Sequence, residues 1–268
     1  MLETLQAQLP SITIGVIGRD SRFILQKPSP HQVDSLRRAA RAGDPSAQMA
    51  MVEYFQLIDL RPDSARAYLR MAVNNGLPEA QYLLGLMYLR GVEGPKRPQE
   101  GRRLLEQAAA KDHILALRVL YEALEPPDSI GPLYVQVLPH DAKAAFRYAL
   151  RAAELGDYPS MVRVAQYYFA GKGVGRSDSL GELWLRRAAE KGYIPAQVLL
   201  AEWHVSSQGW NPERARFWAE KVLSHEYALP EEQIRAKVAL YYAETFPSWI
   251  TWFRRWLSSP PNLSQKIP

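Results

Sequence analysis

Small and apolar positions return along the chain at a fixed phase. Aligning "RRAARAGDPSA", "LRMAVNNGLPEA", "LEQAAAKDHILA", "LRAAELGDYPS" and "LRRAAEKGYIPA" puts Gly43, Gly76, Asp112, Gly156 and Gly192 in one column, at spacings of 33, 36, 44 and 36 residues. Four residues before each stands an alanine (Ala39, Ala72, Ala108, Ala152, Ala188), and four after stands Ala47, Ala80, Ala116, Ser160 or Ala196. Small side chains let two helix backbones approach closely, and a glycine between them supplies the left-handed conformation that ends one helix before the next begins. Eight residues past the turn come Met51, Leu84, Leu120, Val164 and Leu200, and three further on Tyr54, Met87, Ala123, Tyr167 and Trp203. Offsets of 4, 8 and 11 trace one helix face, so each unit is predicted to be helix, turn, helix. Tyr68, Leu104, Tyr148 and Trp184, eight before the turn, form the matching stripe on the preceding helix.

The stretch "YFAGKGVGRSDSLGELW" gathers glycines, a lysine and serines, as a phosphate loop would. A Walker-type loop, however, needs Gly-Lys-Ser/Thr in that order between a strand and a helix. Here a helical period precedes the glycines, and Gly91 falls as far past Gly76 as Gly171 falls past Gly156. Recurrence at one phase points to geometry. Tyr168 is expected to close one helix, Asp178 to cap the next, and Lys172 and Ser177 to be solvated loop residues.

The columns "LGLMYLRG…EGRRLLEQAA" and "AQYYFAGKGVGRSDSLGELWLRRAAEKGYIPAQ" resemble the SEL-like (Sel-one-like) repeat, a relative of the tetratricopeptide repeat with a longer loop between its helices. The resemblance implies an all-α fold, a right-handed α-solenoid of antiparallel helix pairs that holds protein partners and carries out no catalysis. It implies settings such as bacterial secretion, envelope or signalling systems. The organisation it suggests is an extended arm or β-hairpin at 1–30 and about five repeats over 31–226, with an insertion at 125–140. Capping helices at 227–258 and a flexible tail at 259–268 would follow.

Departures from the repeat are where function is sought. The insertion "EPPDSIGPLYVQVLPH" is apolar at its centre and offers Tyr134 to a partner or to its own solenoid. The N-terminal "SITIGVIGRDSRFILQKPSP" has β-branched runs around a turn signal, which suggests a hairpin. Near the C-terminus Trp249, Trp252, Phe253 and Trp256 lie at helical offsets 0, 3, 4 and 7, with Arg254 and Arg255 off that face. A terminal cap, a partner-binding helix or an interfacial membrane helix would each show this pattern.

A partner protein or peptide is expected in a concave groove built by the first helices of the pairs. The residues assigned to that groove are Gln48, Gln81 and Tyr82, Arg118, Arg163 and Gln166; Gln197 shares the column of Gln48 and Gln81, and Met49 that of Tyr82 and Arg118. An immunity or chaperone-like protein masking a secreted effector is one alternative, and membrane-peripheral assembly through Trp249, Trp252 and Trp256 is another.

Composition narrows the chemistry. The 268 residues are 47% hydrophobic and 23% charged, as in ordinary globular proteins. Absence of cysteine removes disulfides, thiol nucleophiles and thiolate zinc sites. Five scattered histidines form no helical metal pair, and no Gly-x-Ser-x-Gly elbow occurs, so catalytic residues, metal and cofactor are each assigned as none. The net charge of +5 comes from arginines spread along helices, so no nucleic-acid partner is expected. With no signal peptide or membrane span in the sequence, the expected address is cytoplasmic, or periplasmic if a leader was removed.

Overall fold

A computed structural model describes residues 14–17, 22–25, 28–92, 95–125, 138–206 and 208–245. Contacts divide the chain into two compact units, Met1–His140 and Asp141–Pro268. In the first, strands β1 (Ile14–Ile17) and β2 (Arg22–Leu25) pair antiparallel, Ile14 opposite Leu25 and Ile17 opposite Arg22. Among the described residues of this unit six helices follow: α1 (Pro30–Arg41), α2 (Pro45–Leu57), α3 (Pro62–Asn74), α4 (Pro78–Arg90), α5 (Pro98–Ala109) and α6 (Ile114–Ala123). The second unit holds α7 (Ala142–Glu154), α8 (Tyr158–Ala170), α9 (Asp178–Glu190), α10 (Ile194–Trp203), α11 (Pro212–Leu223) and α12 (Pro230–Thr245). Their boundary falls at the end of the insertion, of which residues 126–137, including Tyr134, lie outside the described residues.

Local chemistry sets the helix starts. Proline stands in the first turn of nine of these helices, where its missing N–H costs no intrahelical bond. Asp44, Asp141, Asp157 and Asn211 accept the backbone N–H of the third residue onward, each worth about 1 kcal/mol. At the turns, Gly43, Gly76, Gly156 and Gly192 have φ of 99°, 75°, 93° and 87°. Asp112, which replaces glycine in the third unit, adopts the same left-handed conformation at φ 61°. Aspartate is among the few side chains that tolerate it.

The small columns are contact points. Ala47, Ala80, Ala116, Ser160 and Ala196 are fully buried, as are Ala72, Ala108, Ala152 and Ala188. A second small column lies three residues into each second helix: Ala65, Gly101, Ala145, Gly181 and Ala215 are all buried. Its reason is visible where α4 crosses α5, because a Cβ on Gly101 would stand 2.8 Å from the Gly85 carbonyl oxygen. In the first unit successive turns are also tied together. Asn75 donates to the Gly43 carbonyl at 3.2 Å, and Lys111, one repeat later, donates to the Gly76 carbonyl.

The glycine-rich stretch is the α8–α9 connection. Gly171 ends α8 at φ 65°, as Gly91 ends α4 at φ 72°. The cap of α9 differs from expectation: Ser177, not Asp178, is the N-cap, its hydroxyl accepting from Leu180 N–H at 3.3 Å. Asp178 sits one residue inside the helix, paired with Arg176 at 3.2 Å. Gly173 is the constrained position. It has φ 72°, and a Cβ there would fall 2.1 Å from the Ala142 carbonyl oxygen, whereas a Cβ on Gly175 would meet nothing. Gly173→Ala is expected to lower unfolding free energy by about 2 kcal/mol or more through left-handed strain and backbone displacement, and Gly175→Ala to change it by under about 0.5 kcal/mol. Urea titration of both variants checks this contrast.

Candidate functional site

The glutamine column does not face outward. Gln48, Gln81 and Gln197 are 1%, 5% and 0% exposed. Gln48 donates to the Ala40 carbonyl and Gln197 to the Ala189 carbonyl, each at 3.0 Å, and Gln48 Oε1 accepts from Asn75 at 2.9 Å. These amides tie a first helix to the end of the helix before it. Gln81 is equally buried, its Nε2 donating to Gln107 at 3.5 Å while its Oε1 finds no partner among the described residues, so Gln48 and Gln81 leave the set of surface positions.

Tyr82 and Arg118, by contrast, are half-buried on the faces of first helices α4 and α6. The Tyr82 ring lies 4.9 Å from that of His113, whose Nε2 donates to Glu79 at 2.7 Å. His113 also serves as the N-cap of α6, with Nδ1 accepting from Ala116 N–H, which leaves Nε2 to carry the proton. Burial first, then the Glu79 carboxylate, raises the Tyr82 phenol above its usual pKa, while Arg90 and Arg118 pull the other way. Aromatic, acidic and basic groups thus adjoin on one surface of the first unit.

In the second unit Gln166 lines a cavity of about 260 Å³ with Phe169, Leu185, Leu199, Glu202 and Trp203. Its walls come from first helices α8 and α10, and Leu185 of α9 also lines it. Trp203 stacks on Phe169 with ring centroids 4.4 Å apart, and its indole Nε1 is buried without a hydrogen-bond partner. Glu202 is held by Arg235 of α12 through two bonds of 2.7 and 2.6 Å. An apolar recess with a fixed carboxylate and an amide beside it suits an apolar side chain on a hydrogen-bonding backbone. Arg163 is half-buried on the same helix as Gln166. Trp249, Trp252 and Trp256 lie outside the described residues.

Sequence reading found Gln166 but missed the rest of this cavity. The available signal was the column ten residues past the turn, Glu53, Leu86, Glu122, Gln166 and Glu202, which lies between the buried offsets 8 and 11. Among the described residues no three His, Asp or Glu side chains are grouped to hold a metal, and no helix is long and apolar enough to cross a membrane.

A profile of the Sel1 repeat matches residues 78–113, 136–157, 159–193 and 194–221. The chain belongs to the Sel1-repeat family. Chitin synthase regulatory factor 3 of Schizosaccharomyces pombe is 28% identical over 195 residues, covering 68% of this chain and 20% of that protein. The chitin synthase regulator SKT5 of Saccharomyces cerevisiae is 30% identical over 143 residues, covering 52% of this chain and 20% of that one. The chain spans about a fifth of the length of the curated relatives it matches. A crystal structure of a Sel1 repeat protein from Oxalobacter formigenes aligns with TM-score 0.58 at 20% identity, over 79% of this chain and 69% of that one, and shows the shared fold. The matched Sel1 repeats start at α4, yet α2 and α3 carry the same turn glycines and buried alanine columns.

One Sel1 loop holds a buried histidine. His204 is 2% exposed, its Nδ1 donates to the Gly209 carbonyl at 3.0 Å, and its Nε2 lies 3.9 Å from Glu182. Burial lowers its pKa below the ordinary histidine value, against smaller raising effects of the Gly209 carbonyl and Glu182. The folded state therefore binds this proton less readily than the unfolded chain, so the stability it confers is present above an unfolded pKa of about 6.5 and lost as pH falls. Against His204→Gln, the wild-type advantage measured by urea unfolding is expected to shrink between about pH 7 and 5. A difference independent of pH would contradict this.

Proposed function

We propose that this Sel1-repeat chain is a non-enzymatic docking scaffold that grips a partner protein through an apolar side chain in the Phe169–Trp203 cavity. Sel1-repeat proteins are protein-interaction scaffolds, and that scaffold is ordinarily non-catalytic. The observation that carries the reading is the cavity itself: about 260 Å³, open between two first helices, apolar within and bordered by Gln166 and Glu202. That volume accepts a leucine- or phenylalanine-sized group, and buried anchors of this kind carry most binding energy at protein interfaces. Glu202, fixed by Arg235, and the exposed amide of Gln166 supply orienting contacts to the partner backbone.

Action by contact is also in line with the two yeast relatives, both named as regulators of chitin synthase. Tyr82, His113, Glu79 and Arg118 on the first unit serve in this reading as a second, polar contact area.

The test is co-purification from the native host with tagged wild type, Leu199→Arg, Gln166→Arg and, on the exposed end of α9, Glu190→Arg. With unfolding midpoints matched, the two cavity variants are expected to recover at least about tenfold less of the wild-type partner, the loss of one anchor of roughly 1.4 kcal/mol or more. Glu190→Arg is expected to capture normally. Equal capture by all four proteins would overturn the cavity as the site.

A further inference from the structure

Two rings wall the cavity of the second unit, and a glycine makes room for each. A Cβ on Gly181 of α9 would stand 2.5 Å from the Phe169 ring, and a Cβ on Gly209, in the connection after α10, would collide with the Trp203 indole nitrogen. Neither glycine adopts a left-handed φ, so what each supplies is space for a ring and not backbone freedom. Gly181 belongs to the small column whose member in α5, Gly101, admits Leu89. At the phase of Leu89, where the other units hold Gln56, Glu125 and Val205, this unit places Phe169. The two rings stack with centroids 4.4 Å apart and planes 28° from parallel. A wall of this kind favours a third ring over an aliphatic group, because aromatic contacts gain beyond the area they bury.

The rim adds a hydrogen-bonding requirement. Glu202 borders the cavity with its side chain 36% exposed. Arg235 of α12 grips it at two points, Nε donating to Oε1 at 2.7 Å and Nη2 to Oε2 at 2.6 Å. A bidentate guanidinium fixes the plane of a carboxylate and balances its charge, so this rim has no call for a cation. A carboxylate has about four acceptor positions, and the guanidinium takes one on each oxygen. The remaining ones suit a neutral N–H or O–H carried to the rim by the ring that fills the cavity. A leucine or phenylalanine anchor would bring nothing to them, and a site built around a polar contact discriminates against the analogue that lacks it.

We infer that the cavity selects an aromatic side chain bearing its own hydrogen-bond donor, a tyrosine or tryptophan of the partner, with the ring against Phe169 and Trp203 and the donor on Glu202. Arg235 is a positioning residue, touching the carboxylate and not the ligand. This choice of anchor depends on the cavity being a docking site, as proposed above.

The test uses random peptides displayed on phage. They are panned on the full-length wild type after removal of those that also bind Leu199→Arg, and the survivors are expected to share one tyrosine or tryptophan. A selected peptide and its phenylalanine form are then titrated against wild type and against Glu202→Leu/Arg235→Leu, which removes the pair without leaving a lone charge, with unfolding midpoints matched. Wild type is expected to prefer the donor-bearing peptide by about tenfold, the worth of one hydrogen bond to a charged acceptor. In the double variant that preference is expected to fall below about twofold, with the phenylalanine form bound as before. Equal weakening of both peptides would make the Glu202–Arg235 pair merely structural and overturn the inference. Aliphatic anchors among the selected peptides, or equal binding of the two forms by wild type, would overturn it while leaving the cavity as a docking site. Survivors with no shared residue would overturn it as well, and the co-purification of Leu199→Arg and Gln166→Arg would then decide the docking reading by itself.

Discussion

Close approach of helix backbones is the constraint on which the rest depends. Every pair meets through residues with little or no side chain: Ala80 and Ala116 beside the turns, Gly101 and Ala215 in the second helices. With the backbones this near, larger side chains such as Leu84, Leu104, Val164 and Trp184 interlock above and below the crossings. Dense packing of this kind tolerates neither added methyl groups nor gaps, so the small columns fix the angle at which each pair stacks on the next. A helix pair alone leaves one apolar side bare, and stacking supplies the missing contacts. Space is left between first helices, as at the Phe169–Trp203 cavity.

Much of this was legible in the sequence because it is carried by residues whose only role is steric or conformational. The turn column was found from glycine and alanine alone, and even Asp112 fell in place, since its neighbours at four residues on either side are alanines.

Polar residues misled for one reason. Gln48 and Gln81 were assigned to a groove because they recur in one column between the buried positions, yet position five after the turn points inward. There an amide reaches a carbonyl in the last turn of the preceding helix, as Gln48 does at Ala40. Ser177 was passed over as a cap in favour of Asp178 because either side chain suits the role, and a one-residue shift in the helix start decides between them. The cavity was invisible for another reason: Phe169, Leu185 and Trp203 look like core in sequence, and only their arrangement leaves space between them.

The most direct measurement of the account is the sign of one change, Gly101→Ala in α5. Helix propensity alone predicts that alanine in place of an internal helical glycine stabilises by up to about 1 kcal/mol. The close crossing of α4 and α5 predicts the opposite, because the new Cβ would stand 2.8 Å from the Gly85 carbonyl oxygen and force the helices apart. Chemical denaturation should show Gly101→Ala to be destabilised by about 1–3 kcal/mol. A variant as stable as the wild type, or more stable, would contradict the claim that small-residue crossings hold this fold together.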